Sequence, residues 1–489
     1  MTSNDHNHGY YQDLLGAAAL RALPLEEQRE LAAHAARCDS CRKELAALQA
    51  TAEVLALAVE DREPPLGLRS RIRAAAQHEV AESTLGKDRG RVSGYDVIVA
   101  GARCAGSPTA ILLARKGYRV LLLDKATFPS DTISTHLIQS PGIARLKQWG
   151  LLEQIIATDC PPIGTMTFAL GPIALTGSAP SAGGVAVDYA PRRTVLDKIL
   201  VDAAIAAGAE FHEGFSVREL ITEGERVIGI RGHTRDGTIV PEYALLVVGA
   251  DGRHSLVGRT VHAQRYHVKP ALTCCYYSYW SRAPIEGVEF SLHESRMVIS
   301  FPTNEDLVCI LVDWPHQAFP EFRTDVVGNY LKTVERTPEL AQRARQGKRE
   351  ERVVGAADLP NFFRKPYGPG WALVGDAGYH KDPVTAQGIS DAFRDAELLA
   401  EAIDAGLSGR EPLDDALANY EVQRNEEALP MYELTSQLAR LQTSFEMEQL
   451  FHALQRNQDE TNRFFGTIAG AVSIPQFFSA SNLQRIIAG

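Results

Sequence analysis

Asp96-Val-Ile-Val-Ala100 is an apolar run that stops at Gly101, and a second glycine follows at Gly106. Such a run, bounded by turn residues, reads as a strand buried on both faces. Gly101 to Gly106 reads as a tight loop, Ser107 to Lys116 as a helix, and Tyr118 to Asp124 as a second buried strand. A β-α-β unit closed by a glycine turn is the seed of a doubly wound α/β fold. The glycines let a helix N-terminus bring its backbone N–H groups close to a pyrophosphate. Gly101 and Gly106 hold the outer positions of G-x-G-x-x-G, Ala102 lies between them, and Arg103 stands at the middle glycine. With Arg103 there, the spacing alone also fits a generic β-α turn. Asp124 favours the nucleotide reading, because it ends the second strand, where a carboxylate accepts from adenosine ribose hydroxyls.

Two later segments carry the same kind of chemistry. Val248-Gly-Ala-Asp-Gly-Arg-His-Ser255 follows the apolar strand Leu245 to Val248, and its Asp251-Gly252 turn offers a carboxylate and free amides. Leu373-Val-Gly-Asp-Ala-Gly-Tyr-His-Lys-Asp-Pro-Val-Thr-Ala-Gln-Gly-Ile-Ser390 leads into a helical stretch. Beyond Gly375, Asp376 can accept from a ribityl hydroxyl. The amides around Gln387 and Gly388 open a helix whose positive end suits the anionic N1–C2=O edge of a reduced flavin.

With three motifs in this order, residues 95 to about 405 resemble the FAD-dependent family of single-component aromatic hydroxylases, whose relatives include geranylgeranyl reductases and flavin halogenases. The resemblance implies FAD bound by the Gly101–Gly106 loop and Asp124, with Asp376 on the ribityl chain and Pro383 near the isoalloxazine. It implies that the Asp251 segment helps hold FAD, a segment sometimes linked to NADPH. Ala190-Pro-Arg-Arg-Thr-Val-Leu196 resembles the family's R-x-x-L element and places Arg193 near the cofactor. In that family NAD(P)H reduces FAD, and O₂ and a bound substrate complete the reaction; the cofactor carries the chemistry. The chain departs from the pattern at Arg103 and at Ala386, where glycine is usual. The halogenase signature W-x-W-x-I-P is absent, Trp314 standing in V-D-W-P-H without its partner. No side chain is named as catalytic acid or base. His136 and His380 are candidates for the flavin's neighbourhood, although most lone histidines are structural.

Near the N-terminus, His34-Ala-Ala-Arg-Cys38-Asp-Ser-Cys41 reads H-x-x-x-C-x-x-C. His34 and Cys38 share a helical face, and Cys41 lies one turn on. Two thiolates and an imidazole suit Zn²⁺, which takes four ligands; His8 or His6 can supply the fourth. The plainer reading is a pair of helix-end thiols in a small bundle. Residues 1 to about 80 resemble the zinc-binding domain of bacterial anti-sigma factors, and His8 best fits that family's spacing. The resemblance implies an extracytoplasmic-function sigma factor as partner. It also raises a redox-labile site, in which a Cys38–Cys41 disulfide releases the metal.

The expected architecture is therefore a Rossmann-like α/β FAD-binding domain with an inserted antiparallel substrate lobe, preceded by a small all-α zinc domain and followed by helices. The boundaries are 1–80, a linker at 81–94, 95–410 with the lobe at about 265–365, and 411–489. Strands are expected at Leu272–Trp280, Val288–Leu292, Met297–Phe301 and Val308–Trp314, and a short helix from Leu66 to about His78. Lys plus Arg total 50 against 61 acidic residues, a net charge of -11 that argues against direct nucleic-acid binding. Seven cysteines in 489 residues make no disulfide framework, and buried packing is expected for Cys160, Cys274, Cys275 and Cys309. No signal peptide or membrane span is evident, so a cytoplasmic protein is expected. Three functions are carried forward: an NAD(P)H- and O₂-using monooxygenase of an apolar or aromatic small molecule, an anti-sigma factor with a flavoprotein sensor, and a flavin-dependent double-bond reductase.

Overall fold

The computed structural model describes residues 8–19, 25–57 and 94–488. The expected Leu66–His78 helix, His6, the side chain of His8 and the linker up to residue 93 lie outside the described residues. The chain divides into two compact units, Met1–Val80 and Ala81–Gly489.

In the first unit, α1 (His8–Ala19), α2 (Leu25–Ala35) and α3 (Asp39–Leu57) surround a small core. Leu15, Leu31 and Cys41 are buried in it, with Tyr11, Leu14, Ala18, Cys38 and Leu45 packed around them.

The second unit is built on the glycine-ended strand. β1 (Tyr95–Ala100) leads through the glycine loop into α4 (Gly106–Arg115) and back into β2 (Val120–Asp124). Further along come α5 (Ser140–Gln148), α6 (Arg193–Ala206), β3 (Glu210–Glu213), β4 (Ile239–Gly249), β5 (Trp371–Leu373) and α7 (Gly388–Leu407). In space the parallel strands run β5-β4-β1-β2-β3. The order reverses beside β1, so a crevice opens at the carboxyl ends of β1 and β4, where open α/β sheets bind ligands. The alternation of β1 explains its continuous apolar run. Val97 and Val99 face α6 and α7 with Leu196, Phe393 and Leu399. Ile98 and Ala100 face the hairpin Ser216–Glu223/Arg226–His233 and Val257.

A second sheet has the order Lys348–Arg349, Thr273–Ser281, Leu307–Pro315, Arg296–Pro302, Val288–His293, Met166–Leu170, Ile173–Gly177. The four expected strands are present, each shifted by a residue or two at its ends. The lobe is not confined to 265–365, because Met166–Leu170 pairs in parallel with Val288–His293 and brings its hairpin partner along. The outer face, including Trp280, Val312 and Trp314, is covered by the helices Val326–Glu335 and Pro338–Gln346 through Tyr330, Val334 and Leu340. Trp314 Nε1 donates to Thr333 Oγ1 at 2.8 Å on that outer side. The inner face presents Phe168, Tyr277, Tyr279, Phe290, Met297 and Phe301 toward Leu137, Ala190, Val384 and Ala386.

The helices after residue 411 pack into this same unit. From α8 (Leu413–Leu438), the buried Arg424 donates to the carbonyls of Gly378 and Arg364, and Tyr420 donates to that of Leu373. From α9 (Gln458–Ala469), Phe464 and Phe465 join the inner-face core. No described helix is long and apolar enough to cross a membrane.

Candidate functional site

The glycine loop closes on the end of β4. A β-carbon on Gly101, whose φ is +110°, would overlap the Ala250 carbonyl oxygen, and one on Gly106 would overlap the Gly101 carbonyl oxygen. Only glycine fits either place. No side chain caps the N-terminus of α4 at Ala105; the Ser107 N–H donates to the Arg103 carbonyl and Pro108 has no N–H, so a ligand here meets the loop amides up to Gly106. Asp124 accepts from the backbone N–H of Ala102 at 2.9 Å and of Ala126 at 2.8 Å. Each carboxylate oxygen keeps a second lone pair for a ribose hydroxyl.

Arg103 does not point at the place of a missing glycine's ligand; it donates to Asp197 Oδ2 at 2.5 Å and to Ser130 Oγ at 2.9 Å, with its guanidinium 5.4 Å from the Phe128 ring. Arg193 grips the same carboxylate at 2.9 to 3.1 Å. Asp197 is fully buried and Arg193 nearly so. Burial opposes the Arg193 charge, yet Cys104, Asp197 and Asp376 together raise its pKa. Asp197 was not foreseen, although its place four residues after Arg193 on one helix face was a signal.

The third motif completes the crevice. Gly375, with φ +58°, sits so that its β-position is 2.7 Å from Ala105 Cβ and 3.6 Å from Ala392 Cβ. The Gly375–Asp376 turn is thus wedged between the starts of α4 and α7. Asp376 is exposed there, and it lines a narrow crevice with Gly375, Lys381, Gly388 and Asp391. The start of α7 is also uncapped, and Gly388 is exposed amid buried neighbours. Asp382 caps the turn that begins at Pro383, accepting from Val384 N. Ala386 follows in a left-handed conformation at φ +51°, which accounts for the usual glycine.

Three of the candidate residues have further partners in the fold. Asp251 Oδ2 accepts from the amides of Leu256 and Val257, while Oδ1 is buried with no protein partner. Beside it, Gly252 takes φ +76° and serves the turn. Gln387 donates its side-chain amide to the Ile468 carbonyl at 2.6 Å, and its backbone stands at the start of α7. His380 is buried on a short strand with Nδ1 2.5 Å from the Pro360 carbonyl, and burial lowers its pKa against the pull of nearby Asp376.

Lys381, unforeseen, is buried against Asp391, and burial pushes its pKa down to about 7, helped by the Arg394 charge. Gln139, Ser140 and Ser390 are buried with side-chain polar atoms that have no protein partner. The β-position of Gly142 lies 2.6 Å from Ser390 Oγ, so α5 and α7 bring these orphans together. Unsatisfied groups beside two uncapped helix starts fit a polar, flat cofactor. Asp188, close by, has its carboxyl pushed up to about 7 by burial, against the pull of the Ser140 backbone N–H. An acid raised in the fold contributes full stability below the unfolded value of about 3.9, and that stability is lost as pH rises toward 7. Asp188→Asn is therefore expected to gain on the order of 2 kcal/mol over wild type between pH 4 and pH 7.5 in urea titrations. An unchanged difference across that range rejects this account of Asp188.

In the first unit, ligand atoms of His34, Cys38 and Cys41 lie within 4.8 Å of one another. His34 is in the last turn of α2, Cys41 in the first turn of α3, and Cys38 in the bend between. Tyr11 stacks on the His34 ring at 4.1 Å. The Cys41 backbone N–H holds the Cys38 thiol below its usual value, while burial pushes Cys41 up. None of the seven cysteines is in a disulfide.

A doubly wound sheet, a glycine cradle at its switch point and a second crevice-lining motif define an FAD-dependent oxidoreductase. The chain belongs to the FAD-binding domain family, whose model matches residues 94–434. It is similar to the digeranylgeranylglycerophospholipid reductase of Methanothrix thermoacetophila, at 28% identity over 65% of this chain and 81% of that protein. It is also similar to squalene epoxidase 2 of Arabidopsis thaliana, at 25% identity over 64% of this chain and 54% of the other. The fold matches that of the flavin-dependent brominase Bmp2, with a TM-score of 0.69 at 18% identity, covering 81% of this chain and all of that one, 100%.

Proposed function

We propose that the second unit is an NAD(P)H- and O₂-using monooxygenase of an apolar or aromatic small molecule. When bound, FAD supplies the redox and oxygen chemistry. The chain's own residues do the holding: Gly101 and Gly106 admit the pyrophosphate to the start of α4, Asp124 serves the ribose, and Asp376 the ribityl hydroxyls. The start of α7 at Gly388 favours negative charge on the flavin's pyrimidine edge. Lys381, paired with Asp391, stands in the same crevice.

The observation that supports the substrate class is the inner face of the second sheet, where Tyr277, Tyr279 and Phe301 share a core with Val384 and Ala386 of the 383–386 turn. The Methanothrix relative is named for a digeranylgeranyl lipid and the Arabidopsis one for squalene, both apolar chains. The first of these names a reductase, which keeps the double-bond reductase as a second reading. Purified, FAD-loaded protein is expected to oxidise NADPH or NADH faster with members of an aromatic and polyketide panel, with oxygen consumed. Substrate saturation without oxygen uptake selects the reductase, and no stimulation by any compound rejects the enzyme reading.

For the first unit we propose a Zn²⁺ site on His34, Cys38 and Cys41, with a fourth ligand such as His8, and a sigma factor as partner. The donor set fits zinc, and a core whose described buried apolar residues are Leu15, Leu31, Ala35 and Cys41 is small enough to need such a staple. The full chain is expected to carry about one zinc per chain, and His34→Ala with Cys38→Ser to lose it. Metal content unchanged in that double variant rejects the ligand set. Co-purification with an extracytoplasmic-function sigma factor, without NAD(P)H turnover, selects the regulator with a flavoprotein sensor.

A further inference from the structure

His136 lies in the segment that runs from β2 to α5, and its surroundings are unusual for a histidine. The residue is fully buried, and its Nε2 has no partner in the protein. Its backbone is left-handed, φ +37°, a conformation that a non-glycine residue adopts at a cost. Ser134 fixes it there: the His136 backbone N–H donates to Ser134 Oγ at 3.1 Å, and Nδ1 lies 3.3 Å from the Ser134 carbonyl oxygen. A carbonyl only accepts, so Nδ1 carries the proton and Nε2 is left as a bare acceptor. Burial first, then the Arg192 and Arg193 charges, push its pKa down to about 4, so the ring stays neutral near pH 7.

The ring is enclosed by aromatic groups of the second sheet's inner face. Tyr279 meets it edge-on at 5.7 Å and Phe301 at 5.2 Å. Tyr277 stands edge-on to Tyr279 at 5.7 Å, and the Arg192 guanidinium lies 4.1 Å from the Tyr279 ring centre. Three residues on, Gln139 begins the group of orphaned polar atoms assigned above to the cofactor. His136 thus packs on the aromatic face, three residues along the chain from the Gln139 group. An unsatisfied acceptor in such a place costs stability unless a ligand supplies the donor.

We infer that His136 Nε2 accepts a hydrogen bond from a hydroxyl on an aromatic ring and so selects hydroxylated ring compounds over unhydroxylated ones. The inference rests on the aromatic-substrate reading above. His136 is a specificity-determining residue in it, and no proton transfer is assigned.

The test is equilibrium dialysis of FAD-loaded protein with 2-naphthol and 2-methoxynaphthalene, which share a ring system but differ in the donor. Wild type is expected to bind 2-naphthol about tenfold or more tightly than the ether. His136→Phe is expected to retain FAD and bind the two alike, whereas His136→Gln, which keeps an acceptor, retains a preference for 2-naphthol. Equal binding of the two probes by wild type overturns the inference and leaves the aromatic reading standing. Binding of neither probe overturns both. Loss of FAD from folded His136→Phe, with FAD retained in His136→Gln, assigns Nε2 to the cofactor and overturns the inference as well.

Discussion

Gly106→Ala is expected to purify without the yellow flavin absorbance. The added methyl group has no room, because its carbon falls on the Gly101 carbonyl oxygen. The loop must open, and the amides at the start of α4 move off the pyrophosphate. Losses of FAD affinity of about a hundredfold or more are expected for such a displacement of several charge-assisted hydrogen bonds. Gly101→Ala is expected to behave alike, since its β-carbon meets Ala250. Gly117→Ala is the control: φ is +92° there, but nothing lies within 4 Å of its β-position. That variant carries backbone strain without crowding the cofactor and should remain yellow. Flavin content per folded chain, with far-ultraviolet circular dichroism to confirm folding, decides the matter. Full flavin content in folded Gly106→Ala would falsify the cradle.

Asp197→Ala is expected to cost about 3–5 kcal/mol, the usual loss when one partner of a buried ionic cluster is removed. Asp197 is the shared acceptor of Arg103 and Arg193, and its loss leaves the deeply buried Arg193 guanidinium without its carboxylate. Asp197→Asn keeps acceptor geometry on one oxygen and should fall between the two. Urea unfolding of FAD-loaded protein gives the difference. Because Arg103 sits in the cofactor loop, weaker FAD retention should accompany the destabilisation. A change in stability below about 1 kcal/mol would mean that the cluster contributes little beyond an exposed ion pair.

The same cluster explains what could be read along the chain and what could not. The β1–α4–β2 unit declares itself locally, through a buried run, two glycines and a terminal Asp124, all within 30 residues. Asp197 lies 94 residues from Arg103, and nothing near either residue names the other. The strand Met166–Leu170 alternates as a strand should, yet its place in the second sheet depends on pairing with Val288–His293, far along the chain. Gln139, Ser140 and Ser390 read as ordinary helix-start residues until folding buries them unpaired. Asp251 and Gln387 were legible as motif members, but the hydrogen bonds made by Asp251 Oδ2 and the Gln387 side-chain amide are not encoded in the motif. His136 was legible as a histidine near the second strand. Its vacant Nε2 required the aromatic face to be in place.

The two helices that start at the crevice, α4 at Ala105 and α7 at Gln387, have no side-chain cap. A nucleotide that terminates both works as a missing piece of the chain. Ligand in hundredfold excess over its dissociation constant adds about 2.7 kcal/mol to the folded state, a large share of a typical protein's margin. Newly made chains that lack flavin are then the ones that open most often and are degraded first. The amount of this protein in a cell should accordingly follow its supply of flavin, with no regulator needed to couple the two.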